Sequence, residues 1–222
     1  MSKFLKHYTH NCLGKKVLNA DWKTIVGDAT SISFVNAGNV KSIGEDFLAI
    51  CNNLTSIDLS TLGNVNEIDD GFLAGCIGMA NVDLSPIAKV TEIGDCFLFG
   101  CINLTSIDLS PLSNVNEIGD SFLSGCTGLT NIDLSPIAKV TKIGNCFLRG
   151  CSNLTSIDLS SFYEVTIIGN YFLKGCVELK SIDLNPLKNV TKMGWKFLSG
   201  CTGLEHQKEE IEKFMKRRFI NE

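Results

Sequence analysis

The amino-acid sequence predicts a solenoid, between the α/β and mostly β classes, built from short parallel strands with one helical turn in each repeat. The first observation is a cysteine that recurs every 25 residues, at Cys51, Cys76, Cys101, Cys126, Cys151, Cys176 and Cys201. The second is a set of apolar columns that return in step with it, and in the first such unit these are Leu54, Ile57, Leu59, Leu62, Val65, Ile68, Phe72 and Leu73. A unit this short cannot cover its own apolar face, so stacked neighbours must share one core.

We expect the repeats to occupy residues 26–204, as seven units of 25 residues and the first four residues of an eighth. Residues 1–25 are predicted to form an N-terminal cap that is helical in part. Residues 205–222 are predicted to form a C-terminal capping helix, because Ile211, Phe214, Met215 and Phe219 follow helical spacing. Helical caps at both ends would cover the core and the strand edges that an open solenoid exposes.

Within one unit, the residue pattern predicts two short strands and a turn of helix. Residues 104–109 (LTSIDL) alternate apolar and polar side chains as a half-buried strand does, and Pro111 ends the strand because it has no amide hydrogen. Residues 115–118 form the second strand, after which Gly119 is expected to adopt a positive φ. Residues 120–125 (DSFLSG) predict one helical turn whose aspartate accepts the first free amides. Stacking such coils predicts two narrow parallel sheets.

The order of these motifs resembles a known repeat family. Leu-x-x-Ile-x-Leu, then Val-x-x-Ile-Gly, then Phe and Gly-Cys is similar to the BspA-like leucine-rich repeats over about residues 26–204. The unit is slightly longer than the family's usual one, around Pro111, and a Phe-Leu pair such as Phe122-Leu123 replaces the usual Ala-Phe. The resemblance implies a leucine-rich-repeat solenoid that acts as a binding scaffold, often displayed at microbial surfaces, with no catalytic residues and no cofactors.

Cysteine and histidine chemistry is not expected. The seven column cysteines are interpreted as free thiols that act as small apolar core residues, and no Cys-x-x-Cys pair suggests a zinc site. His7, His10 and Cys12 have two interpretations: metal ligands on one helical face, or polar positions on a capping helix, which we favour. The third histidine is His206, so none lies within the array to form a Cys-His catalytic pair. We therefore expect no enzyme, no catalytic residue and no metal site.

An aspartate column runs through six units, at Asp58, Asp83, Asp108, Asp133, Asp158 and Asp183. Stacked coils place these like charges about 5 Å apart, which costs about 1 kcal/mol per neighbour in water. One interpretation is that each carboxylate accepts the amide two residues further on and shapes the bend there. The other is an acidic strip that binds a basic partner or cations.

Charge is distributed unevenly along the chain. The net charge is +4 for residues 1–25, −11 for residues 26–125 and +3 for residues 126–222. One column shows the change directly, since Glu67, Glu92 and Glu117 give way to Lys142, Ile167 and Lys192. A solenoid with an acidic half and a basic half would orient a charged partner, or another copy of itself, along its axis.

The last two full units carry the outward residues that depart most from their columns. Most outward positions hold small polar or charged residues, but this region adds aromatic side chains beside basic ones, which is typical of protein-contact anchors. Trp195 even replaces the Asp or Asn expected to cap the helical turn. We predict a protein-binding patch composed of Tyr163, Ile167, Tyr171, Lys174, Trp195 and Lys196. The alternative is that these residues pack under the C-terminal cap.

These observations favour a non-enzymatic scaffold that binds a protein partner through its solenoid surface. The alternatives are a substrate-recognition subunit whose terminal segments recruit an enzyme, and a microbial surface adhesin. No nucleic-acid partner is expected, and no membrane insertion, because no run of about 18 apolar residues occurs. The polar N-terminus lacks a secretory h-region, which predicts a cytoplasmic protein, or a surface or secreted one if a leader was removed.

Overall fold

The structure is a computed structural model that describes residues 6–19 and 21–216. Its two α-helices are α1 (Trp22–Val26) and α2 (Lys208–Lys216). Its strands are β1 (His7–Asn11), β2 (Val17–Leu18), β3 (Ser31–Val35), β4 (Ser42–Ile43), β5 (Ser56–Asp58), β6 (Glu67–Ile68), β7 (Glu92–Ile93), β8 (Glu117–Ile118), β9 (Lys142–Ile143), β10 (Ile167–Ile168) and β11 (Lys192–Met193). The strand pairs are parallel and join successive coils, which confirms the predicted solenoid.

The second strand of each unit supplies most of the sheet structure. β2, β4, β6 and β7 form one four-stranded sheet, and β8 to β11 form another. Equivalent residues of successive coils lie side by side, as Ile118 and Ile143 do, and both of these side chains are buried. The predicted sheet of Val-x-x-Ile-Gly segments is confirmed, but its ladder stops between β7 and β8.

The Leu-x-x-Ile-x-Leu segments pair as strands only near the N-terminus, where β1, β3 and β5 form a three-stranded sheet. The predicted strand at residues 104–109 is wrong. A strand ladder needs successive backbone bonds, and here the Thr105 amide donates to the Ala80 carbonyl at 3.0 Å without a further backbone bond between the two segments, both of which are described. The coils remain joined at this face through Leu104 and Leu109, which are buried in the common core.

The later units have their helical turn just after the aspartate column. Short 3₁₀ turns cover Ser85–Ile87, Ser110–Leu112, Ser135–Ile137, Phe162–Glu164 and Asn185–Asn189. Proline is favoured in the first turn of a helix because its missing amide would have no partner there. The helical turn expected in each repeat is therefore present in these units, at a different position from residues 120–125.

Residues 120–125 form a turn in which positive φ alternates, at Ser121 (61°), Leu123 (53°) and Gly125 (76°). The alternation directs successive amides toward opposite neighbouring coils. The Ser121 and Gly125 amides donate to carbonyls of the following coil at 2.6 Å, whereas the Leu123 amide donates to the Phe97 carbonyl of the preceding coil at 2.9 Å. These bonds make a third parallel ladder, which the helical interpretation of this segment did not foresee.

Seven phenylalanines run through the centre of the core: Phe47, Phe72, Phe97, Phe122, Phe147, Phe172 and Phe197. Neighbouring rings lie 5.1–5.7 Å apart, with planes within 9° of parallel. Stacked rings at this separation attract one another beyond the area that they bury. The other predicted apolar columns are buried beside them, except that Ile57, Ile107 and Ile157 of one column are only half-buried.

Gly119 is required for a close approach between coils, and the positive φ predicted for it is wrong. Neither Gly119 nor Asp69, which takes its place in an earlier unit, has a positive φ. A Cβ atom on Gly119 would lie 2.6 Å from the carbonyl oxygen of Gly94 in the preceding coil. A side chain at this position would therefore force the two backbones apart.

The first described residues form a coil of the same stack. β1 pairs with β3 and β2 pairs with β4, while α1 begins after Asp21, whose carboxylate accepts the Thr24 amide at 3.2 Å. His7 and His10 therefore lie on a strand, and the helical positions predicted for them are wrong. Their spacing of three residues places them on opposite faces of that strand, because the side-chain period there is two. Residues 1–5 and 20 of the predicted cap lie outside the described residues.

Helix α2 covers the last coil. Ile211, Phe214 and Met215 pack against the core, and the Phe214 ring lies 6.1 Å from the Phe197 ring. The remainder of the predicted capping helix, including Phe219, lies outside the described residues, and the predicted domain limits stay a prediction. No helix in the described part of the chain is long and apolar enough to cross a bilayer.

Candidate protein-binding surface

The alternating turns stack into one continuous surface, which we call the turn face. It comprises residues 45–50, 70–75, 95–100, 120–125, 145–150, 170–175 and 195–200. In every segment the Phe-Leu pair is buried in the core. The first, second and fifth residues of each segment are exposed or half-buried, apart from Gly71 and Ser124. The turn face is therefore held rigidly by its backbone ladder and presents three columns of side chains.

Carboxylate and amide side chains tie the segments of the turn face together. The Asp70 carboxylate accepts the Asp95 amide at 2.6 Å, and the Asp95 carboxylate accepts the Asp120 amide at the same distance. The pattern continues coil by coil to the Trp195 amide, which donates to the Asn170 side-chain oxygen at 2.9 Å. The prediction that Asp120 caps its own turn is wrong, because the alternating backbone directs those amides to neighbouring coils.

Trp195 stands at the last position of this ladder. Its backbone amide has an acceptor, the Asn170 side-chain oxygen. No further turn follows whose amide would need an acceptor from the Trp195 side chain, because the described chain continues into α2. The tryptophan therefore gives up no cap, contrary to the interpretation of the sequence. At this end of the ladder, a side chain without an acceptor oxygen leaves no amide of a following turn unpaired.

Tyr171, which is half-buried, and Trp195, which is exposed, form the centre of a surface cluster. Their ring centroids lie 5.5 Å apart with planes tilted by 47°. Three cations surround the Tyr171 centroid: Lys174 Nζ at 5.1 Å, Arg149 Cζ at 5.5 Å and Lys196 Nζ at 5.7 Å. Lys196 Nζ also lies 4.8 Å from the Trp195 centroid. Such cation–π contacts contribute about 0.5–1 kcal/mol each at exposed sites. We call these five residues the aromatic–basic cluster.

Tyr171 occupies a column whose backbone is left-handed in every unit. The other members of that column are Asp46, Gly71, Cys96, Ser121, Cys146 and Lys196, and Tyr171 itself has φ 64°. This conformation costs a residue with a Cβ roughly 1–2 kcal/mol, and it is least common for bulky residues. The smaller or polar members fit the same fold, so the fold alone does not call for a tyrosine. Such conformations are concentrated at functional sites.

The cluster differs in membership from the patch predicted from the sequence. Tyr171, Lys174, Trp195 and Lys196 come together as predicted. Tyr163 is 50% exposed but lies in a 3₁₀ turn, and Ile167 lies in β10 between two lysines. Within the described residues neither makes a ring or hydrogen-bond contact with the cluster. Arg149 was missed, although it breaks its own column, where earlier units hold Ala74, Phe99 and Ser124.

The alternative that these aromatic residues pack under the C-terminal cap is not supported by the geometry. Trp195 is 54% exposed. Helix α2 packs on Phe197 instead, and the cavity of about 250 Å³ between α2 and the last coil is lined by Phe197, Leu204 and Ile211 among others, without Trp195. The cluster therefore remains accessible beside the cap.

The cysteine column has a polar role that the sequence did not reveal. Cys126 Sγ donates to the Leu98 carbonyl at 3.1 Å, and the equivalent bond recurs at 3.0–3.2 Å in each column cysteine from Cys76 to Cys201. The accepting leucines all have positive φ. The cysteines are free, and burial raises the pKa of the Cys101 and Cys151 thiols to about 12. From inside the core, these thiols therefore donate hydrogen bonds to backbone carbonyls of the turn face.

Other candidate chemistry is accounted for by local structure. Each carboxylate of the Asp58-to-Asp183 column accepts the amide two residues further on, at 2.8–2.9 Å, which confirms the turn-shaping interpretation. His7 contacts Ser31 and Ser33, while His10 is buried. Among the described residues, no group of three His, Cys, Asp or Glu side chains is arranged to hold a metal ion.

Comparison with known proteins agrees with this architecture. A family model for the BspA type leucine rich repeat region matches residues 28–136 and 66–205. No curated protein matches the chain. A leucine-rich repeat protein of T. pallidum shares 19% identity over 93% of this chain and 86% of its own, with a TM-score of 0.68. A leucine-rich repeat protein from Bacteroides ovatus shares 20% identity over 88% of this chain and 61% of its own, with a TM-score of 0.46.

The structural similarity to the T. pallidum protein concerns the fold, and the family match concerns the repeat itself. The matched stretches together extend from residue 28 to residue 205, which includes all seven segments of the turn face. Because this match covers most of the sequence, the chain belongs to the BspA-type leucine-rich repeat family.

Proposed function

We propose that the protein is a non-enzymatic scaffold that binds an acidic protein surface through the aromatic–basic cluster. Leucine-rich repeats generally mediate protein binding, which supports the broad role. The observation that carries the specific proposal is the placement of three cations around the half-buried Tyr171 ring, beside the exposed Trp195 ring.

The charges of the cluster are available to a partner. The salt bridges of the described residues join Lys6 to Asp28, Lys142 to Glu117 and Lys216 to Glu212, so none involves the cluster. Its cations rest on ring faces, which leaves their hydrogen-bond donors free for carboxylates. Aromatic residues and arginine are also the residue types that dominate binding energy at protein interfaces.

The cluster is also well ordered for recognition. Its residues belong to three adjacent segments of the turn face, each fixed by backbone bonds to its neighbours. A rigid binding surface loses less conformational entropy when a partner binds. The alternative of a terminal segment that recruits an enzyme gains no support from α2, whose apolar side chains pack on the core.

Affinity capture from the native source tests the proposal. The double variant Tyr171→Ala with Trp195→Ala should keep its melting temperature within a few degrees of wild type. The amount of specifically captured protein should fall at least about tenfold. Tyr163→Ala is the matched control, because it removes an exposed aromatic ring outside the cluster, and it should retain the wild-type set. Equal retention by both variants would disprove a binding role for the cluster.

A further inference from the structure

The turn face separates its charges completely into two halves. Its first four segments contain Glu45, Asp46, Asp70, Asp95 and Asp120, with no lysine or arginine. Its last three segments contain Arg149, Lys174 and Lys196, with no acid. Within the described residues, no salt bridge neutralises either half. One surface thus carries a basic–aromatic end and an acidic end, both without partners of opposite charge.

We infer that a second copy of this chain binds antiparallel on the turn face, so that the aromatic–basic cluster of each copy meets the acidic half of the other. This inference rests on the proposed function and names its partner. A twofold axis makes an isologous contact, in which one surface complements itself. The turn face meets that condition because its two halves have opposite charge.

The number of segments fixes the alignment. Seven evenly spaced segments place residues 120–125 on the twofold axis. Reversal then brings residues 195–200 against 45–50, residues 170–175 against 70–75, and residues 145–150 against 95–100. With coils about 4.8 Å apart, the paired ends lie about 29 Å from each other along one copy. Each basic segment therefore meets an acidic one.

The individual residues agree with that alignment. Lys196 faces Glu45 and Asp46, Lys174 faces Asp70, and Arg149 faces Asp95. These contacts occur twice, and charge complementarity of this kind sets orientation and speeds association.

Exposed apolar residues lie where the alignment needs them. Ile50, which is 56% exposed, belongs to the segment that meets Trp195, and Phe99, which is 44% exposed, belongs to the segment that meets Arg149. Phe99 offers the Arg149 guanidinium of the other copy a ring face, as Tyr171 does within one copy. Ile50 and Phe99 thus provide the acidic half with apolar surface that the dimer contact would bury.

The centre of the interface avoids a strong repulsion. Asp120 is the acid nearest the axis, and it would meet its own copy there. Its two carboxylate oxygens accept the backbone amide of Asn145 at 2.7 Å and the side-chain amide of Asn145 at 2.8 Å. The other polar side chains of this segment are small: Ser121 is half-buried and Ser124 is buried. The axis can therefore be approached closely.

Charge reversal tests the alignment with the purified full-length chain. We measure the dimer dissociation constant by sedimentation velocity at low salt. Lys196→Glu alone and Glu45→Lys alone should each weaken the dimer at least about tenfold, and the two together should restore it to within about threefold of wild type. Neither side chain makes a hydrogen bond or an ion pair in the described structure, so the fold should tolerate both changes.

The matched control combines Lys196→Glu with Glu178→Lys, an exposed acid outside the turn face. It restores the net charge but not the pairing, and it should stay weakened. Restoration by the control, or a wild-type chain that is monomeric at low salt and high concentration, would overturn the antiparallel dimer. If that monomer still captures a different protein through Tyr171 and Trp195, the proposed function holds while the inference fails.

Discussion

The Asp95 carboxylate accepts the backbone amide of Asp120 at 2.6 Å, across the boundary between two coils. The five coils from Asp95 to Trp195 thus each rely on a side chain of the preceding coil to satisfy an amide that their own turn leaves unpaired. The natural sequence already shows which atom matters, because Asn145 and Asn170 serve the same purpose with an amide oxygen. The oxygen acceptor, and not the negative charge, is the common requirement.

Replacement of Asp95 should separate the acceptor from the charge. Asp95→Asn keeps an oxygen acceptor and removes a like charge beside Asp70 and Asp120, so the free energy of unfolding should stay within about 0.5 kcal/mol of wild type. Asp95→Ala leaves the Asp120 amide unsatisfied and should cost about 1–3 kcal/mol. Urea denaturation measures both changes, with Glu178→Ala, at an exposed acid outside the turn face, as the surface control. Equal effects of Asn and Ala would refute the role of the oxygen.

The thiols of the cysteine column should resist alkylation in the folded protein. They are buried, and the Sγ atoms from Cys76 to Cys201 donate to leucine carbonyls. Burial raises the pKa of Cys101 to about 12, so little thiolate is present at pH 8. Cys96 and Cys146 are half-buried on the turn face and should react first. Mass spectrometry after iodoacetamide treatment, with and without denaturant, checks this order. Rapid native modification of Cys126 would contradict it.

The solenoid has a weak joint between β7 and β8. No strand pairing connects them, and within the described residues the Asn116 and Gly119 amides have no acceptor, unlike the Gly94 and Gly144 amides at equivalent positions. A cleft of about 290 Å³ opens there, lined by Thr91, Glu92, Ile93, Asn116 and Glu117. Glu92 has an acid on both sides in its column, Glu67 and Glu117, so like-charge repulsion between Glu92 and Glu117 acts across this joint.

Reversal of the charge at Glu92 should close this joint. Glu92→Lys places a cation between Glu67 and Glu117, as Lys142 already lies 3.3 Å from Glu117. Unfolding free energy should rise by about 0.5–1 kcal/mol at low salt and less at high salt. Hydrogen exchange of the Gly119 amide, fast in wild type relative to Gly144, should slow. Glu92→Gln is the control for loss of repulsion alone. Unchanged Gly119 exchange in Glu92→Lys would show that charge does not open the joint.

The sequence predicts the structure correctly where the residues that determine it lie within a single repeat unit. The 25-residue period predicted the coil, the apolar columns predicted the core, and Asp108 predicted the turn at Ser110 from local chemistry alone. Residues 120–125 were mispredicted because an aspartate, two apolar residues and a glycine are equally compatible with a helical turn and with the alternating turn. What distinguishes the two is the set of bonds to neighbouring coils, which no local pattern encodes.

The candidate site was predicted in part for a related reason. Departure from a column revealed Tyr171, Trp195 and the adjacent lysines, because a repeat provides its own reference. Arg149 is an ordinary surface residue until Tyr171 is placed one coil away from it. Tyr163 belongs to the predicted patch because the column pattern predicts that its position points outward. The pattern does not indicate on which face of the coil that position lies.

His10 should make the N-terminal coil sensitive to acid. Its side chain is buried, its ring lies 4.9 Å from Trp22 and 6.2 Å from Phe34, and its Nε2 has no partner among the described residues. Burial lowers the pKa of His10, and the positive charge of Lys15 lowers it further. The folded chain therefore keeps His10 neutral, while the unfolded chain takes up a proton below its ordinary pKa of about 6.5. The stability that depends on neutral His10 is complete above that pH and declines as the pH falls from there to the lowered folded value.

Melting temperatures at pH 7.5 and pH 5.0 test this sensitivity. The first pH lies above the ordinary histidine pKa, and the second lies below it but above the ordinary pKa values of the carboxylates. His10→Phe places a third apolar ring beside Trp22 and Phe34 and should reduce the difference between the two pH values. His7→Asn is the control, because His7 is exposed and bonded to Ser31 and Ser33, and its difference should match wild type. An unaltered difference in His10→Phe would assign the acid sensitivity to other groups.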